Sequence, residues 1–347
     1  MFSAEPVGRW LGATGPDSDV VVSTRVRLAR NLAELPFVTR TKASEQAQVV
    51  DMVRWALADA GFMDRGRFLD DEQLTPEWGR FLLERHLVSL DFVESKLRRG
   101  FFVSADETLS LMVNEEDHLR FQALVSGLDF TTALSLASGL DSKLESIVGY
   151  AYSTQFGFLT ACPTNVGTGM RASALLHLPG LVLTREIEKV LRGAVHIGLV
   201  VRGLYGEGSE TKGNFFQVSN QRTLGQSETE IIETVTASCQ QVVQYERRAR
   251  EYLVKNLRTE IEDKVFRSLA LLRGARILCS DEAVNLLATV RLGVALGIVN
   301  ELSLGQVCRL LILVRPENLQ VFLGERLKSP ERDERRATVV REALVIR

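Results

Sequence analysis

Short alternating segments occupy residues 20–219, and a continuous helical pattern follows from Ser227 to the end of the chain. In the first part, β-branched and apolar residues alternate with polar residues, a pattern that predicts strands. The predicted strands outnumber the crossover helices that a parallel sheet would need. We therefore predict an α+β fold: a mostly antiparallel β-sheet flanked by helices, followed by a C-terminal helical domain.

The same pattern divides the chain into three parts. Residues 1–18 are predicted to be a weakly ordered lead-in, residues 19–250 a mixed domain and residues 251–347 a helical domain. Ser227 followed by Glu230 is a capping-box pattern, which predicts a helix that runs to about residue 256. Further helices are predicted at 42–60, 78–86 and 129–150, and strands at 20–30, 100–104, 109–114, 118–125, 156–161, 195–202 and 214–219.

Charge and cysteine content exclude several classes of function. The 347 residues include 42 basic and 44 acidic side chains, so no overall field favours nucleic acid or an anionic membrane. The four cysteines lie far apart and form no CxxC pair, which argues against a zinc cluster or a disulfide framework and favours a reducing cytoplasm. The sequence contains no apolar stretch of the roughly 20 residues that a membrane span needs and no apolar secretion signal.

The first candidate element is the strand that contains Ser23-Thr24-Arg25-Val26-Arg27. Period-two geometry places Ser23, Arg25 and Arg27 on one face and Val26 on the other. Neighbouring arginines repel each other unless an anion lies between them. The strand therefore predicts an anion site, although a solvated sheet face would have the same pattern.

The second element is the run N-E-E-D at 114–117, at a corner between two predicted strands. Like charges raise each other's pKa, so this acidic run is costly unless cations lie close by. A guanidinium substrate is such a cation. The following strand is predicted to place His118, Arg120 and Gln122 on one face. An acidic surface turn is the alternative.

The third element combines C-P-T-N at 162–165 with G-T-G-M-R-A at 167–172, which we predict to open a helix whose free amides and Arg171 face an anion. Gly167, Gly169 and Ala172 also match a dinucleotide fingerprint. We reject that interpretation because the downstream acid, Glu188, lies in a predicted helix and not at the end of a parallel strand.

The fourth element begins at Arg202, which ends an apolar strand and precedes a segment with glycines at 203, 206, 208 and 213. A lid that closes over reactants and brings in Glu207 would need such a pliable segment. An ordinary surface loop would look much the same.

Together these four elements resemble the phosphagen (guanidino) kinase family, which includes creatine and arginine kinases. The resemblance runs from about residue 19 to residue 245 and rests on N-E-E-D, C-P-T-N, G-T-G-x-R-A-S and R-G-x-x-G-E. Eukaryotic members carry a helical domain ahead of the S-x-R-x-R strand, and this sequence does not. In that respect and in its helical tail it is similar to the bacterial branch, whose members phosphorylate arginine in proteins.

The resemblance implies a glutamine-synthetase-like catalytic domain that uses ATP, with Mg²⁺ held by phosphates and water and no protein metal cage. It implies catalytic roles for Glu116, Glu207 and Cys162, with Glu116 as the base. The implied ATP-binding residues are Ser23, Thr24, Arg25, Val26, Arg27, His86, Arg120, Arg171, Ala172, Ser173, Ala174, Leu175, Arg202, Gly203, Leu204, Tyr205, Gly206 and Glu207.

The run R-D-E-R-R-A at 332–337 fits the R-D-x-x-R-A motif, which in the bacterial branch forms an allosteric phosphoarginine pocket. The resemblance therefore implies binding by Arg332, Asp333, Arg336 and Ala337. It also implies arginine-containing protein substrates, a zinc-containing activator, a heat-shock repressor, a Clp unfoldase and protease, and a homodimer. Two alternatives stay open: a kinase of a free guanidino metabolite, and a non-catalytic adaptor that binds phosphoarginine.

Overall fold

The computed structural model describes residues 8–196, 198–203 and 212–345. The strands are β1 Val21–Arg30, β2 Gly66–Asp70, β3 Gly100–Ser104, β4 Leu109–Val113, β5 Leu119–Ser126, β6 Tyr152–Ser153, β7 Gly157–Phe158, β8 Met170–His177, β9 Leu199–Gly203 and β10 Phe215–Asn220. The helices are α1 Ala43–Asp59, α2 Pro76–Glu84, α3 Leu90–Glu94, α4 Phe130–Val148, α5 Pro179–Leu183, α6 Ile187–His196, α7 Glu228–Asn256, α8 Arg258–Gly274, α9 Ser280–Ala295, α10 Leu304–Leu313, α11 Pro316–Leu323 and α12 Ser329–Ala343.

Eight strands form the central sheet in the order β2-β3-β4-β5-β1-β8-β10-β9, and every neighbouring pair is antiparallel. One face packs against α1, α4 and α7 in a core that includes Val26, Leu28, Ala172 and Leu140. The predicted antiparallel sheet with flanking helices is thus confirmed, and the opposite face is left for polar side chains.

A second core lies among the C-terminal helices and includes Val265, Leu287 and Val340. Helix α7 contributes to both cores: Ala249 belongs to the first and Leu253 to the second. Its capping box at Ser227 and Glu230 forms as the pattern predicts. None of the helices in the described ranges is long and apolar enough to cross a membrane.

Buried polar contacts fix the helical part against the sheet. Arg291 of α9 is fully buried and donates to the backbone oxygens of Ser18 and Asp19 at 2.7 and 3.1 Å. It also contacts Nδ1 of His177, at 2.9 Å, and the His177 ring stacks on Phe215. His177 is therefore a core residue.

The structure corrects four details of the predicted elements. Residues 170–177 form a strand and not a helix, because Met170, Ala172 and Ala174 enter the sheet core between β1 and β10. Residues 195 and 196 belong to α6, and only residues 157 and 158 of the segment 156–161 pair as a strand. The lead-in is packed from residue 8 onward, since Trp10 and Leu11 are buried against Phe215 and α10.

Candidate active site

Arginine side chains from adjacent strands share the open face of the sheet. Arg27 on β1 lies opposite Arg171 on β8 and opposite Gln122 on β5. Residues directly opposite each other in antiparallel strands point to the same face. Arg25 and Arg120 each lie two positions from a member of this row, so they share that face as well.

Arg202 joins the group through strand β10. Gln217 on β10 lies opposite Arg202 on β9, and its side-chain oxygen accepts a 2.8 Å hydrogen bond from Arg25. We call the surface formed by Arg25, Arg27, Arg120, Arg171 and Arg202 the arginine face. The arginines predicted from four separate motifs are therefore brought together by one sheet.

Two of these cations, Arg25 and Arg27, are held in an environment that disfavours their charge. Burial, with the positive charges of Arg120 and Arg171, lowers the pKa of Arg25 to about 10. Burial and the neighbouring arginines also lower the pKa of Arg27 well below its ordinary value. Among the described residues, Nε of Arg27 and Nε of Arg171 are buried without a hydrogen-bond partner. Such a cluster fits a polyanion, because guanidinium groups bind phosphate oxygens two at a time.

Glu115 is the internal counter-ion of this face. It is buried, forms an ion pair with Arg120 and accepts a hydrogen bond from the Ser89 hydroxyl. Burial raises its pKa, but the charge of Arg120 and these hydrogen bonds outweigh burial and leave the pKa below the ordinary value. Glu115 therefore stays ionised and fixes the direction of Arg120.

Glu116, the next residue, is exposed, and the thiol of Cys162 lies close enough to influence the pKa of its carboxylate. Burial of its carboxylate and the charges of Asp117 and Glu115 raise its pKa above the ordinary value. Cys162 lies close enough to Arg171 to influence the pKa of that arginine. A carboxylate with a raised pKa and a thiol thus stand at one end of the arginine face.

Backbone and amide contacts hold this acidic corner in place. Asp117 is buried and accepts 2.6 Å hydrogen bonds from the Asn31 side chain and from the amide of Ala161. Asp117 also links the corner to the segment that carries Cys162. His118 is buried just ahead of β5 and accepts from the amide of Leu32, so it does not reach the arginine face as its predicted position implied.

The other end of the arginine face is apolar. His86 lies close enough to Arg25 for that charge to affect it, and burial with the charges of Arg25 and Arg315 lowers its pKa to about 3. The His86 ring meets the edge of Trp10, with centroids 5.8 Å apart, and both line a cavity with Leu175. His86 is therefore neutral at pH 7, in surroundings that suit a flat, weakly polar ring.

The remaining residues predicted to bind ATP lie on one face of the sheet or the other, because successive residues of a strand point to opposite faces. Ser23, Ser173 and Leu175 line a cavity with Arg25 and His86 on the arginine face. The side chains of four others point to the opposite face or into the core: Thr24, Val26, Ala172 and Ala174. Gly203 ends β9, whereas Leu204, Tyr205, Gly206 and Glu207 lie outside the described residues.

The glycines ahead of Arg171 are required by close backbone contacts. Gly169 has φ +64°, and a Cβ there would lie 2.6 Å from the carbonyl oxygen of Ala29. Gly167, with φ +111°, would place a Cβ 2.3 Å from the carbonyl oxygen of Thr223. The turn serves to bring the Cys162 segment against the sheet and does not start a helix.

The C-terminal motif has mixed exposure. Arg336 is buried and donates to the carbonyls of Val314 and Leu278 at 2.7 and 2.8 Å and to Asp333 at 2.5 Å. Ala337 is buried in the second core, whereas Arg332 and Asp333 are partly exposed. Arg336 thus anchors α12, and the accessible members of the motif are Arg332 and Asp333.

No sequence motif distinguishes two residues of the cleft, Trp10 and Glu115. Trp10 lies in the lead-in, where no periodic pattern marks it for burial beside His86. Glu115 carries the same acidic signal as Glu116, and only its contacts with Ser89 and Arg120 distinguish the two.

Comparison with known proteins agrees with this geometry. Residues 48–249 match the family "ATP:guanido phosphotransferase, C-terminal catalytic domain", and residues 258–346 match "Protein-arginine kinase McsB C-terminal domain". Among solved structures, lombricine kinase aligns with a TM-score of 0.60 at 23% identity, over 70% of this chain and 71% of that chain. Substrate-free taurocyamine kinase from Schistosoma mansoni aligns with a TM-score of 0.59 at 23% identity, over 72% of this chain and 37% of that duplicated chain.

The chain belongs to the ATP:guanido phosphotransferase family and is an enzyme of that class. Within the family it is similar to bacterial protein-arginine kinases over nearly its whole length. It is 45% identical to that of Geobacillus sp. strain WCH70, over 99% of this chain and 95% of that protein. It is 44% identical to that of Bacillus cereus strain G9842, over 99% of this chain and 97% of that protein.

Proposed function

We propose that this enzyme transfers the γ-phosphoryl group of ATP to the guanidinium group of arginine residues in proteins. The observation that carries the proposal is the order of the cleft: an apolar end at His86 and Trp10, a cationic centre, and an acidic end at Glu116 and Cys162. A nucleoside triphosphate has the same order of ring and phosphates, and it would present its terminal phosphate to the acidic end.

The nucleotide would be held mainly through its phosphates. Arg25, Arg27, Arg120, Arg171 and Arg202 surround the anion and stabilise the charge on the transferring group, which is the main requirement of phosphoryl transfer. Mg²⁺, bound to phosphates and water, would neutralise part of that charge. Ionised Glu115 keeps Arg120 directed at the phosphates, so this arginine stays in position before the nucleotide binds.

The acceptor would be oriented by carboxylates. A guanidinium group has a pKa of about 12.5 or higher, so its nitrogen lone pair is poorly available at neutral pH. We assign Glu116 as its partner and as the base that takes the proton, which the raised pKa of this carboxylate favours. Glu207 is proposed as the second carboxylate and Cys162 as a contact of the guanidinium.

The Glu116→Gln variant tests this assignment. We expect it to bind ATP within about twofold of the wild type and to lose at least about 100-fold in transfer, in the range for a general base. Binding is measured by calorimetry, and transfer by mass spectrometry of acid-labile phosphoarginine. Equal loss of binding and transfer would contradict the role of Glu116. Partly exposed Glu262 of α8, distant in sequence, supplies the matched control Glu262→Gln.

A second measurement separates protein from metabolite acceptors. Free arginine and an arginine-containing protein are offered together with ATP, and phosphoarginine is quantified in each. We expect the label on the protein. Label on free arginine alone would identify a metabolite kinase, and ATP turnover without either product would contradict both activities.

The regulatory and cellular parts of the proposal rest on the similarity of the C-terminal region to that of protein-arginine kinases. Arg332 and Asp333 offer a cation for a phosphate and an anion for a guanidinium, which suits phosphoarginine. We further propose a cytoplasmic homodimer that marks proteins for a Clp unfoldase and protease in the stress response. A zinc-containing activator and a heat-shock repressor are its proposed partners.

A further inference from the structure

A groove lies beside the acidic end of the cleft. One wall is the β6–β7 hairpin with Tyr152 and Phe156, and the other is the segment 223–228 that leads into α7, with Leu224 and Glu228. Phe158 and the glycine turn form the floor, and the cavity measures about 440 Å³. We call it the hairpin groove.

The walls of the hairpin groove expose large apolar side chains to solvent. Tyr152 is 60% exposed, Phe156 46% and Leu224 52%. Single exposed apolar residues are common, but several around one concavity indicate a binding surface. Half-exposed Glu228 adds a carboxylate to the same rim. This combination suits a polypeptide segment with an apolar side chain.

The floor is fixed in place before any ligand arrives. The guanidinium of Arg30 lies 3.6 Å from the centroid of the Phe158 ring, and Tyr152 packs edge-on against that ring at 5.2 Å. Arg30 is buried and paired with Asp141 at 2.7 Å. The hairpin groove is therefore supported by the same strand, β1, that carries Arg25 and Arg27.

The hairpin groove is continuous with the acceptor end of the cleft. Phe158 pairs with Gly167, and the Thr223 hydroxyl donates to the carbonyls of Thr164 and Val166 at 2.8 Å each. Cys162 lies four positions after Phe158, so their Cα atoms are at most about 14 Å apart. A chain whose arginine reaches Glu116 can thus extend into the groove within a few residues.

A polypeptide acceptor has no path out of the cleft at its apolar end. Trp10 and Leu11 pack between the sheet and helices α9 and α10, and they close the cleft at its apolar end. The centre of the cleft is occupied by phosphates under the proposed function. The side of Cys162, where the hairpin groove opens, is the exit nearest to Glu116 for a polypeptide acceptor.

We infer that the hairpin groove binds the polypeptide segment next to the acceptor arginine and prefers an apolar side chain there. This inference rests on the proposed function and adds a specificity surface to it. The Phe156→Ser/Leu224→Ser double variant removes one apolar side chain from each wall, and both positions are exposed enough that folding should be retained. Trp55→Ser on α1 is the matched control, because Trp55 is 62% exposed and its helix packs against the core face of the sheet.

Binding is measured without turnover, in a Glu116→Gln background, by fluorescence anisotropy. The probes are two labelled nine-residue peptides with one central arginine, flanked either by leucine and phenylalanine or by serine. We expect the double variant to bind the apolar peptide about fivefold or more weakly, the scale of losing two interface anchors. The serine peptide and the Trp55→Ser control should change by less than about twofold.

Transfer assays with otherwise wild-type chains complete the test. The kcat/KM for the apolar peptide should fall through KM, whereas N-acetylarginine amide, which is too short to enter the groove, should be phosphorylated as before. Unchanged peptide binding in the double variant would overturn the inference, as would an equal loss with both acceptors. If peptide binding is unchanged but sedimentation shows altered self-association, the groove is an interface between copies and the inference is wrong. Absence of phosphoarginine from the wild-type reaction would instead refute the proposed function.

Discussion

Replacing Arg25 by methionine should stabilise the free enzyme while it abolishes nucleotide binding. Arg25 lies on the arginine face among other cations and donates a hydrogen bond to the side-chain oxygen of Gln217. Methionine has a similar length and no charge. Most substitutions of buried residues destabilise a protein, so the expected direction is opposite to the general tendency.

The magnitude follows from the pKa of Arg25, which is lowered from 12.5 to about 10. Each pKa unit corresponds to about 1.4 kcal/mol, so keeping Arg25 charged costs up to about 3 kcal/mol in the folded state. Loss of the hydrogen bond to Gln217 costs about 1 kcal/mol. A net gain of about 1–2 kcal/mol remains, which raises Tm by about 1–3 °C for a chain of this size.

Thermal unfolding at low ionic strength measures this gain, with and without ATP. The wild type should gain stability from ATP and the variant should not, because binding stabilises only a protein that can bind. Added salt should stabilise the wild type more than the variant, since salt screens the repulsion. Arg67→Met is the control, because Arg67 is exposed on β2, away from the arginine face, and its loss should leave Tm nearly unchanged.

A Tm lowered by several degrees in Arg25→Met, with no effect of salt, would refute the reasoning. It would mean that Arg25 is a structural side chain whose contacts outweigh the repulsion. In that case the low pKa would not indicate a site prepared for an anion.

Three further predictions concern single groups. The transfer rate should fall on acidification, with a midpoint above the ordinary glutamate pKa of about 4.3, because Glu116 must be deprotonated and its pKa is raised. A midpoint of the pH–rate curve at or below that value would contradict the role of Glu116 as base. Glu246→Ala should cost about 3–5 kcal/mol in chemical denaturation, since it strands a buried arginine and two helix amides. Glu262 forms an ion pair with Arg258 at the surface, so Glu262→Ala should cost about 0.5 kcal/mol or less. An equal loss of stability in the two variants would contradict the prediction. Peroxide that modifies Cys162 should inhibit transfer because the thiol lies near Glu116. The activity that remains in Cys162→Ser should resist peroxide, whereas Cys279→Ser should be inhibited as the wild type is. Full activity with Cys162 shown by mass spectrometry to be modified would exclude this.

Period-two alternation was sufficient to predict the antiparallel sheet, because a sheet with one buried face imposes that period directly on the sequence. The segment 170–177 shows where the rule fails. Its apolar residues 170, 172, 174 and 176 fit a strand, yet the preceding glycines also resemble a helix start. The contacts with β1 and β10 decide in favour of the strand, and those partners lie more than 35 residues away in sequence.

The arginine face was predictable only in pieces. Alternation alone places Arg25 and Arg27 together, but Arg171 joins them through a strand register that no local pattern encodes. The same limit applies to the apolar end of the cleft. Trp10 reaches His86 because the chain ahead of β1 folds back between the sheet and α10, a long-range packing event.

The acidic run contains three carboxylates that composition alone could not tell apart. Its three carboxylates are adjacent in sequence, yet Asn114 has φ 59° and turns the chain so that they point to different neighbours. Glu115 is neutralised by Arg120, and Asp117 is bound by Asn31 and a backbone amide. Partial burial of Glu116 raises its pKa, and so do the two like charges fixed on either side of it. These surroundings distinguish Glu116 from its two neighbours and support the base role that we propose for it.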